Sequence, residues 1–174
     1  GMTETVTHVA IKKTGFQGED VYRSLPGVHF ETQENRLKII YPAISEVPIQ
    51  TNDIVNLVDA NSFQWLGRAD FVINSGGIKF SPERLEKKLN QIFDFEVMVT
   101  GIEDAKLGHK VGLIIKGEAF QQPIKKSDFK GLMHQFEIPK VYTFLNQFEK
   151  TLNGKLDRNK TAIKTKGFVW KNIL

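Results

Sequence analysis

Apolar and polar positions alternate in short runs over the first third of the chain, and nothing there repeats at helical spacing. Leu37, Ile39 and Tyr41 alternate with Lys38 and Ile40 behind a turn signal at Glu34-Asn35, which predicts a strand. A second pair of runs, Ile54 to Val58 and Phe63 to Leu66, flanks the polar stretch Asp59-Ala60-Asn61-Ser62, a separation of hairpin length. Pro26, Pro42 and Pro48 punctuate this part, and residues 1 to 36 hold no amphipathic stretch, so it reads as β-rich with few strands, a piece of something larger. After Gly67 the grammar changes to strands alternating with helices, that of a compact α+β domain, and the boundary falls near residue 68. Val72-Ile73 and Ile78-Lys79-Phe80 flank the turn Asn74-Ser75-Gly76-Gly77. Ser81 then caps a helix with Pro82 at its first position and Leu85, Leu89, Ile92 and Phe93 on its buried face. Strands are expected at 97 to 102, 111 to 115 and 141 to 145. A second helix is expected from Ser127, with Phe129, Leu132, Met133 and Phe136 at helical spacing, and a last short one over Lys155 to Lys164.

Composition narrows the chemistry. The chain has 174 residues, 40% apolar and 25% charged, within the range of a globular protein. It has no cysteine, which excludes a disulfide framework, thiolate-bound zinc, iron-sulfur clusters and thiol nucleophiles, and a reducing, cytoplasmic setting is the expectation. No apolar run approaches the ~20 residues of a membrane span, and the N-terminus lacks the pattern of a signal peptide. The net charge of +4 is too small to argue for nucleic acid, but Lys150, Lys155, Arg158, Lys160, Lys164, Lys166 and Lys171 face the single acid Asp157 across the C-terminal stretch. Nucleotide-binding glycine loops, zinc-protease and serine-hydrolase motifs are absent, and the four histidines have no ligand spacing.

Three segments remain: Thr51-Asn52-Asp53, Gly67-Arg68-Ala69-Asp70 running into Gly76-Gly77, and Thr151-Leu152-Asn153-Gly154-Lys155-Leu156-Asp157-Arg158. Read locally, Asp53 is a turn aspartate, Arg68 and Asp70 are a surface pair worth about 0–1 kcal/mol, Gly76 and Gly77 are turn glycines, and Lys155 is a solvated lysine. Chemistry offers each a second role. A carboxylate presents two acceptor oxygens to a ribose diol, and an ammonium beside a glycine in a basic tract reaches a phosphoryl group. In order and at these separations the segments resemble the late motifs of the adenylate-forming superfamily, which holds the acyl-CoA synthetases, luciferases and peptide-synthetase adenylation domains. Gly1-Met2-Thr3-Glu4-Thr5 is similar to that family's Gly-x-Thr-Glu motif, and the match begins inside the motif. Asn52 stands where the family commonly has glycine, a mild departure because asparagine tolerates left-handed backbone.

The resemblance implies an α+β fold in two parts. Residues 1–67 would be the β-rich C-terminal remnant of a large ATP-binding domain, 68–71 a hinge, and 72–174 a mobile lid domain. It implies Lys155 as the catalytic lysine of adenylation, Thr3, Asp53 and Arg68 as nucleotide-binding residues, Asp70 as the hinge, Gly76 and Gly77 beside the pantetheine channel, and Glu4 as a magnesium ligand. The segment Val72 to Glu83 is similar to CoA ligases rather than to peptide-synthetase domains, and the N-terminal motif with Trp65 to Gly77 resembles o-succinylbenzoate-CoA ligases of menaquinone biosynthesis. The implied substrates are a small carboxylic acid, ATP with Mg²⁺, and CoA, with no nucleic acid or membrane partner. The large domain would lie upstream, so this chain alone would not catalyse the overall reaction. Other readings compete: another aryl- or acyl-CoA ligase, a non-catalytic module that binds a polyanion through the C-terminal lysines, Phe168 and Trp170, and a non-catalytic lid that meets a partner through a face a large domain normally covers.

Overall fold

The computed structural model describes residues 1–13, 20–120, 122–129 and 131–174. The chain divides between Asp70 and Phe71 into two compact units, and each builds its own sheet and core. In the first, β1 (Ala10–Ile11), β2 (Tyr22–Ser24), β3 (His29–Gln33), β4 (Arg36–Ile40), β5 (Ile49–Asp59) and β6 (Ser62–Arg68) form a sheet in the order β1-β2-β6-β5-β4-β3. All its pairings are antiparallel. The expectation of few strands is thereby corrected: β1 and β2 are too short to show a period, and they are held by pairing rather than by their own pattern. Leu37 and Ile39 point one way from β4 and join Phe30, Val55 and Phe63 in the core. Phe63 stacks on Tyr22 and meets Phe30 edge-on. Glu34 and Asn35 both take left-handed backbone, the requirement of the two-residue turn that joins β3 to β4.

The second unit contains β7 (Ile73–Ser75), β8 (Ile78–Phe80), α1 (Pro82–Leu89), β9 (Val97–Asp104), β10 (Gly108–Lys116), β11 (Val141–Leu145), α2 (Arg158–Lys164) and β12 (Lys171–Asn172). Its sheet runs β12-β11-β10-β7-β8, with β9 antiparallel and β11 parallel to β10. Both faces of β9 and β10 are covered, which is why these strands read as near-continuous apolar runs. Val97, Val99, Val111, Leu113 and Ile115 pack with Leu85 and Leu89 of α1 on one face. Met98 and Ile114 pack with Phe148, Leu156 and Ala162 on the other. Gly112 sits where a Cβ would lie 2.7 Å from Ile102 and 3.0 Å from the Trp170 ring, so the close approach of those side chains depends on its lacking one.

Ser81 caps α1 as expected, its hydroxyl accepting the Arg84 N–H, with Pro82 at the first position. The helix stops at Leu89, so Ile92 and Phe93 pack on the same core from beyond it. The helix expected from Ser127 is not formed. Lys126–Phe129 make one short 3-10 turn, and Gly131, at φ 86°, interrupts any continuation. Phe129 and Met133 are buried while Leu132 and Phe136 stay exposed; Lys130 lies outside the described residues. The last helix starts three residues later than expected, because Gly154 takes left-handed backbone and Asp157 caps the Lys160 N–H.

Candidate functional site

The first cluster of site residues is built on an irregularity in the sheet. Arg36 of β4 pairs with Ile54 while Lys38 pairs with Gln50, so β5 carries extra residues there and Thr51 to Asp53 bulge out of the ladder. The Thr51 hydroxyl repairs the gap, donating to the Leu37 carbonyl at 2.9 Å and accepting the Asp53 N–H at 3.1 Å. On the opposite edge Ile54 faces Gly67 but Val55 faces Trp65, which makes Leu66 the extra residue of β6. Gly67, at φ 139°, takes a backbone that suits glycine and brings Arg68 opposite Asp53. Asp53 therefore lies within a long strand, a correction to its local reading as a turn aspartate.

The Asp53 carboxylate is largely buried, with 14% of its side chain exposed. Its Oδ1 accepts the Trp65 indole N–H at 3.0 Å and lies 3.9 Å from Arg68. Among the described residues nothing engages Oδ2, so the carboxylate keeps acceptor capacity for a ligand's hydroxyls. Arg68 donates to Asp70 at 2.9 Å, and Asn52 reaches the same Asp70 oxygen at 3.5 Å. The Asp70 hydrogen bond raises the Arg68 value against the opposing effect of burial, and the Asp53 and Glu4 charges add to it. The guanidinium remains partly exposed and permanently charged, a donor fork suited to phosphate. Thr3 and Glu4 form a short 3-10 turn, both exposed, with Thr5 buried beneath and its hydroxyl in reach of the Met2 and Thr7 carbonyls. The structure thus brings Asp53, Arg68 and Asp70 together and places Glu4 within electrostatic range of Arg68.

In the second unit Gly76 and Gly77 are the two-residue turn between β7 and β8, at φ 59° and 84°. A Cβ on Gly77 would meet nothing, so conformation rather than crowding selects glycine there, and its outer face is open. Lys155 sits in a turn closed by pairing of Lys150 with Leu156. The Thr151 N–H donates to the Lys155 carbonyl at 2.8 Å, the Gly154 N–H to the Thr151 carbonyl at 2.9 Å, and the Lys155 N–H to the Thr151 hydroxyl at 3.2 Å. The loop is held by its own backbone while the Lys155 side chain projects into solvent, and Leu152 at its tip is fully exposed.

Just behind that turn lies a group whose part the sequence left undefined. Arg158, the first residue of α2, forms a bidentate pair with Glu86 of α1 at 2.7 and 2.5 Å, approaches Glu83 at 3.8 Å, and lies 5.5 Å over the Phe71 ring. Glu86 also accepts the Val99 N–H at 2.7 Å. Burial pushes the Glu86 carboxyl above its ordinary value, and the Arg158 fork and the Val99 amide pull against it. Trp65 is the other participant not picked out from sequence. Its signal is that a half-buried indole N–H seeks an acceptor, and Asp53 lies across the hairpin from it.

No family model matches the chain. A D-alanine-D-alanyl carrier protein ligase of Staphylococcus haemolyticus is 31% identical over 57% of this chain and 22% of its own length. A 2-succinylbenzoate-CoA ligase of Listeria innocua is 33% identical over 64% of this chain and 24% of its own length. Among solved structures, an AMP-forming acyl-CoA synthetase/AMP-acid ligase II-like protein of Dyadobacter fermentans is 33% identical, covering 94% of this chain and 49% of that one at a TM-score of 0.50. The relatives and structural neighbours of this chain are AMP-forming acid ligases. An o-succinylbenzoate CoA synthetase of Bacillus subtilis, solved with ATP and magnesium, shares the fold at 19% identity, TM-score 0.71, over 93% of this chain and 40% of that one. The chain thus spans about a quarter of the two curated ligases it matches and less than half of these solved ones. The α+β architecture is that of the C-terminal part of such ligases. Among the described residues no helix is long and apolar enough to cross a membrane.

Proposed function

We propose that this chain is the C-terminal part of an ATP-dependent, AMP-forming acid-CoA ligase. The observation that carries the reading is the bulged β5-β6 hairpin, which sets a half-satisfied carboxylate, Asp53, opposite a partly exposed arginine, Arg68, in a chain related to such ligases. In the first half-reaction an oxygen of the substrate carboxylate attacks the α-phosphorus of ATP. The bond to the bridging oxygen breaks, giving acyl-adenylate and pyrophosphate. Asp53 accepts the ribose hydroxyls, Arg68 and Thr3 bind the nucleotide, and the Lys155 ammonium stabilises charge that grows on the phosphoryl oxygens.

In the second half-reaction the backbone at Asp70 turns, Lys155 withdraws, and the Gly76-Gly77 turn borders the path of the pantetheine arm. The thiol sulfur attacks the acyl carbonyl, the thiol loses its proton, and AMP leaves. Glu4 is an exposed, hard oxygen donor and fits a role as one ligand of Mg²⁺, with phosphate and water oxygens as the others. When bound, the ion neutralises phosphate charge. The large domain with the acid pocket lies upstream in this reading, the chain alone does not turn over, and the full protein acts in the cytoplasm.

For the acid we propose o-succinylbenzoate, supported by the kinship to the Listeria ligase and by the CoA-ligase character of Val72 to Glu83. A second reading has its own support: kinship to the D-alanine carrier protein ligase allows a carrier-borne pantetheine as acceptor and an amino acid as substrate. The deciding experiment offers the full-length protein ATP, Mg²⁺ and a panel of o-succinylbenzoate, benzoates, fatty acids and D-alanine, with CoA or a carrier protein as acceptor. Mass spectrometry then identifies the thioester. A dominant o-succinylbenzoyl-CoA product upholds the reading; D-alanyl thioester on the carrier replaces it with the second; no AMP from any acid removes both.

A further inference from the structure

We propose that Arg158 is a positioning residue for Lys155, tying the loop of that lysine to the segment that follows Asp70. The inference rests on the reading of Lys155 as the adenylating lysine. Three stretches of the second unit meet at one guanidinium, and a fourth joins them through Glu86. Phe71, directly after Asp70, lies beneath it; Glu83 and Glu86 of α1 flank it; Glu86 reaches on to the Val99 N–H of β9; and Arg158 itself opens α2. The pair is removed from solvent, with 13% of the Arg158 side chain and 11% of the Glu86 side chain exposed. Three residues upstream stands Lys155. The intervening Asp157 is held twice, its N–H donating to the Glu149 carbonyl at 2.8 Å and its carboxylate capping the Lys160 N–H at 2.9 Å.

A lysine that serves one half-reaction and withdraws for the other must move as a body with the chain that leaves Asp70. Backbone torsions changing at Asp70 are passed first to Phe71, and the contact of its ring with Arg158, itself fixed by Glu86, joins that residue to the Lys155 loop. A lysine would keep the charge at position 158 but lose both the two-pronged hold on Glu86 and the planar face over Phe71. The solvated lysines of the same tract, such as Lys160 and Lys166, have neither feature.

The test is a cycle of variants in the full-length protein, read as acyl-adenylate formation and, separately, as thioester formation from supplied acyl-adenylate. Arg158→Met and Arg158→Lys are each expected to lower kcat for adenylation by about 10-fold to 100-fold, the scale of a misplaced catalytic group. Thioester formation is expected to change by less than about 3-fold. In a Lys155→Ala background the same Arg158 changes are expected to cost less than about 2-fold more, because groups acting as a unit are not additive. The double change Glu86→Gln with Arg158→Met avoids a stranded buried charge; its cooperative melt certifies folding, and it is expected to show the same selective loss. Losses that multiply with Lys155→Ala, or that strike both half-reactions equally, overturn the proposal. A wild-type protein that forms no acyl-adenylate, or a Lys155→Ala protein that loses none, sinks the functional reading and this inference with it. Loss with Arg158 variants alone cannot be mistaken for that result.

Discussion

The hydrogen bond from Trp65 to Asp53 defines a perturbation whose size follows from the geometry. Trp65→Phe keeps a ring in the hairpin and removes the one indole N–H that lies 3.0 Å from Asp53 Oδ1. A hydrogen bond to a charged acceptor contributes about 1.5–3 kcal/mol. The carboxylate retains some exposure, and Arg68 stays 3.9 Å away as a second source of positive charge, so a value at or just under the lower limit of that range is expected. Phe also leaves a small void, which adds a cost unrelated to the bond. A cycle of Trp65→Phe, Asp53→Ala and the double change cancels the void and isolates the pair, with an expected coupling of about 1–1.5 kcal/mol. At an m-value of about 1 kcal/mol/M the coupling corresponds to about 1–1.5 M in the urea midpoint. Amide exchange of peptides from residues 49 to 68 reads the first unit separately from the second. A coupling below about 0.3 kcal/mol would mean that the indole and carboxylate are neighbours without being partners, and the account of how Asp53 is oriented would fail.

Lys155→Ala is expected to lower adenylation by about 10²–10³, the scale of losing one transition-state donor, while sparing thioester formation from supplied acyl-adenylate; parallel assays of the two half-reactions check it. Gly112→Ala is expected to destabilise the second unit by about 1–3 kcal/mol, because the new methyl would stand 2.7 Å from Ile102 and 3.0 Å from Trp170; urea unfolding decides, and an unchanged midpoint refutes the close approach. Glu137 gives a pH dependence of known sign. Burial works upward on its carboxyl, but the Lys88 hydrogen bond, the His134 N–H and nearby positive charge hold it below its ordinary value. A folded value below the unfolded one stabilises above the ordinary carboxylate range, and that contribution is lost as pH falls through the folded value. Glu137→Gln should therefore flatten the acid limb of a stability-against-pH curve, and an unaltered limb would contradict the assignment.

Legibility in the sequence followed the range of the interaction. The cap of α1 was readable because Ser81 and Pro82 act on backbone within one turn of themselves. The hairpin at Gly76 and Gly77 was readable for the same reason, since left-handed backbone selects glycine locally. The segment from Ser127 misled because its apolar residues fall at helical spacing while Gly131 breaks the backbone. The irregularities of the β4-β5 and β5-β6 pairings were not visible, because a register shift belongs to a pair of strands and leaves no period in either. The motif supplied Asp53 and Arg68 by resemblance, but not the Trp65 N–H or the Thr51 hydroxyl that set one opposite the other.

That division also explains why Arg158, though it closes the third motif segment, had no role assigned from the sequence. In the sequence it is one of seven basic residues in a tract with a single acid, and electrostatics alone would assign it to solvent or to an anionic ligand. Its partner Glu86 lies 72 residues upstream, on a helix whose own pattern marks it only as a polar position beside Leu85. Burial then makes the difference between the two environments decisive. An exposed arginine in this tract would add little beyond field, whereas removing one member of a buried pair costs about 3–5 kcal/mol and replacing both members costs far less. The same tract therefore holds two kinds of cation. Lys155 is held only through its backbone and leaves its side chain in solvent, while Arg158 grips Glu86 with two prongs, approaches Glu83 and lies over Phe71. A sequence change that exchanged the two residue types would keep the net charge, and if Lys155 is the adenylating lysine it would lower adenylation through two routes that overlap rather than multiply: the ammonium at position 155 is replaced, and the loop that presents it is unfastened.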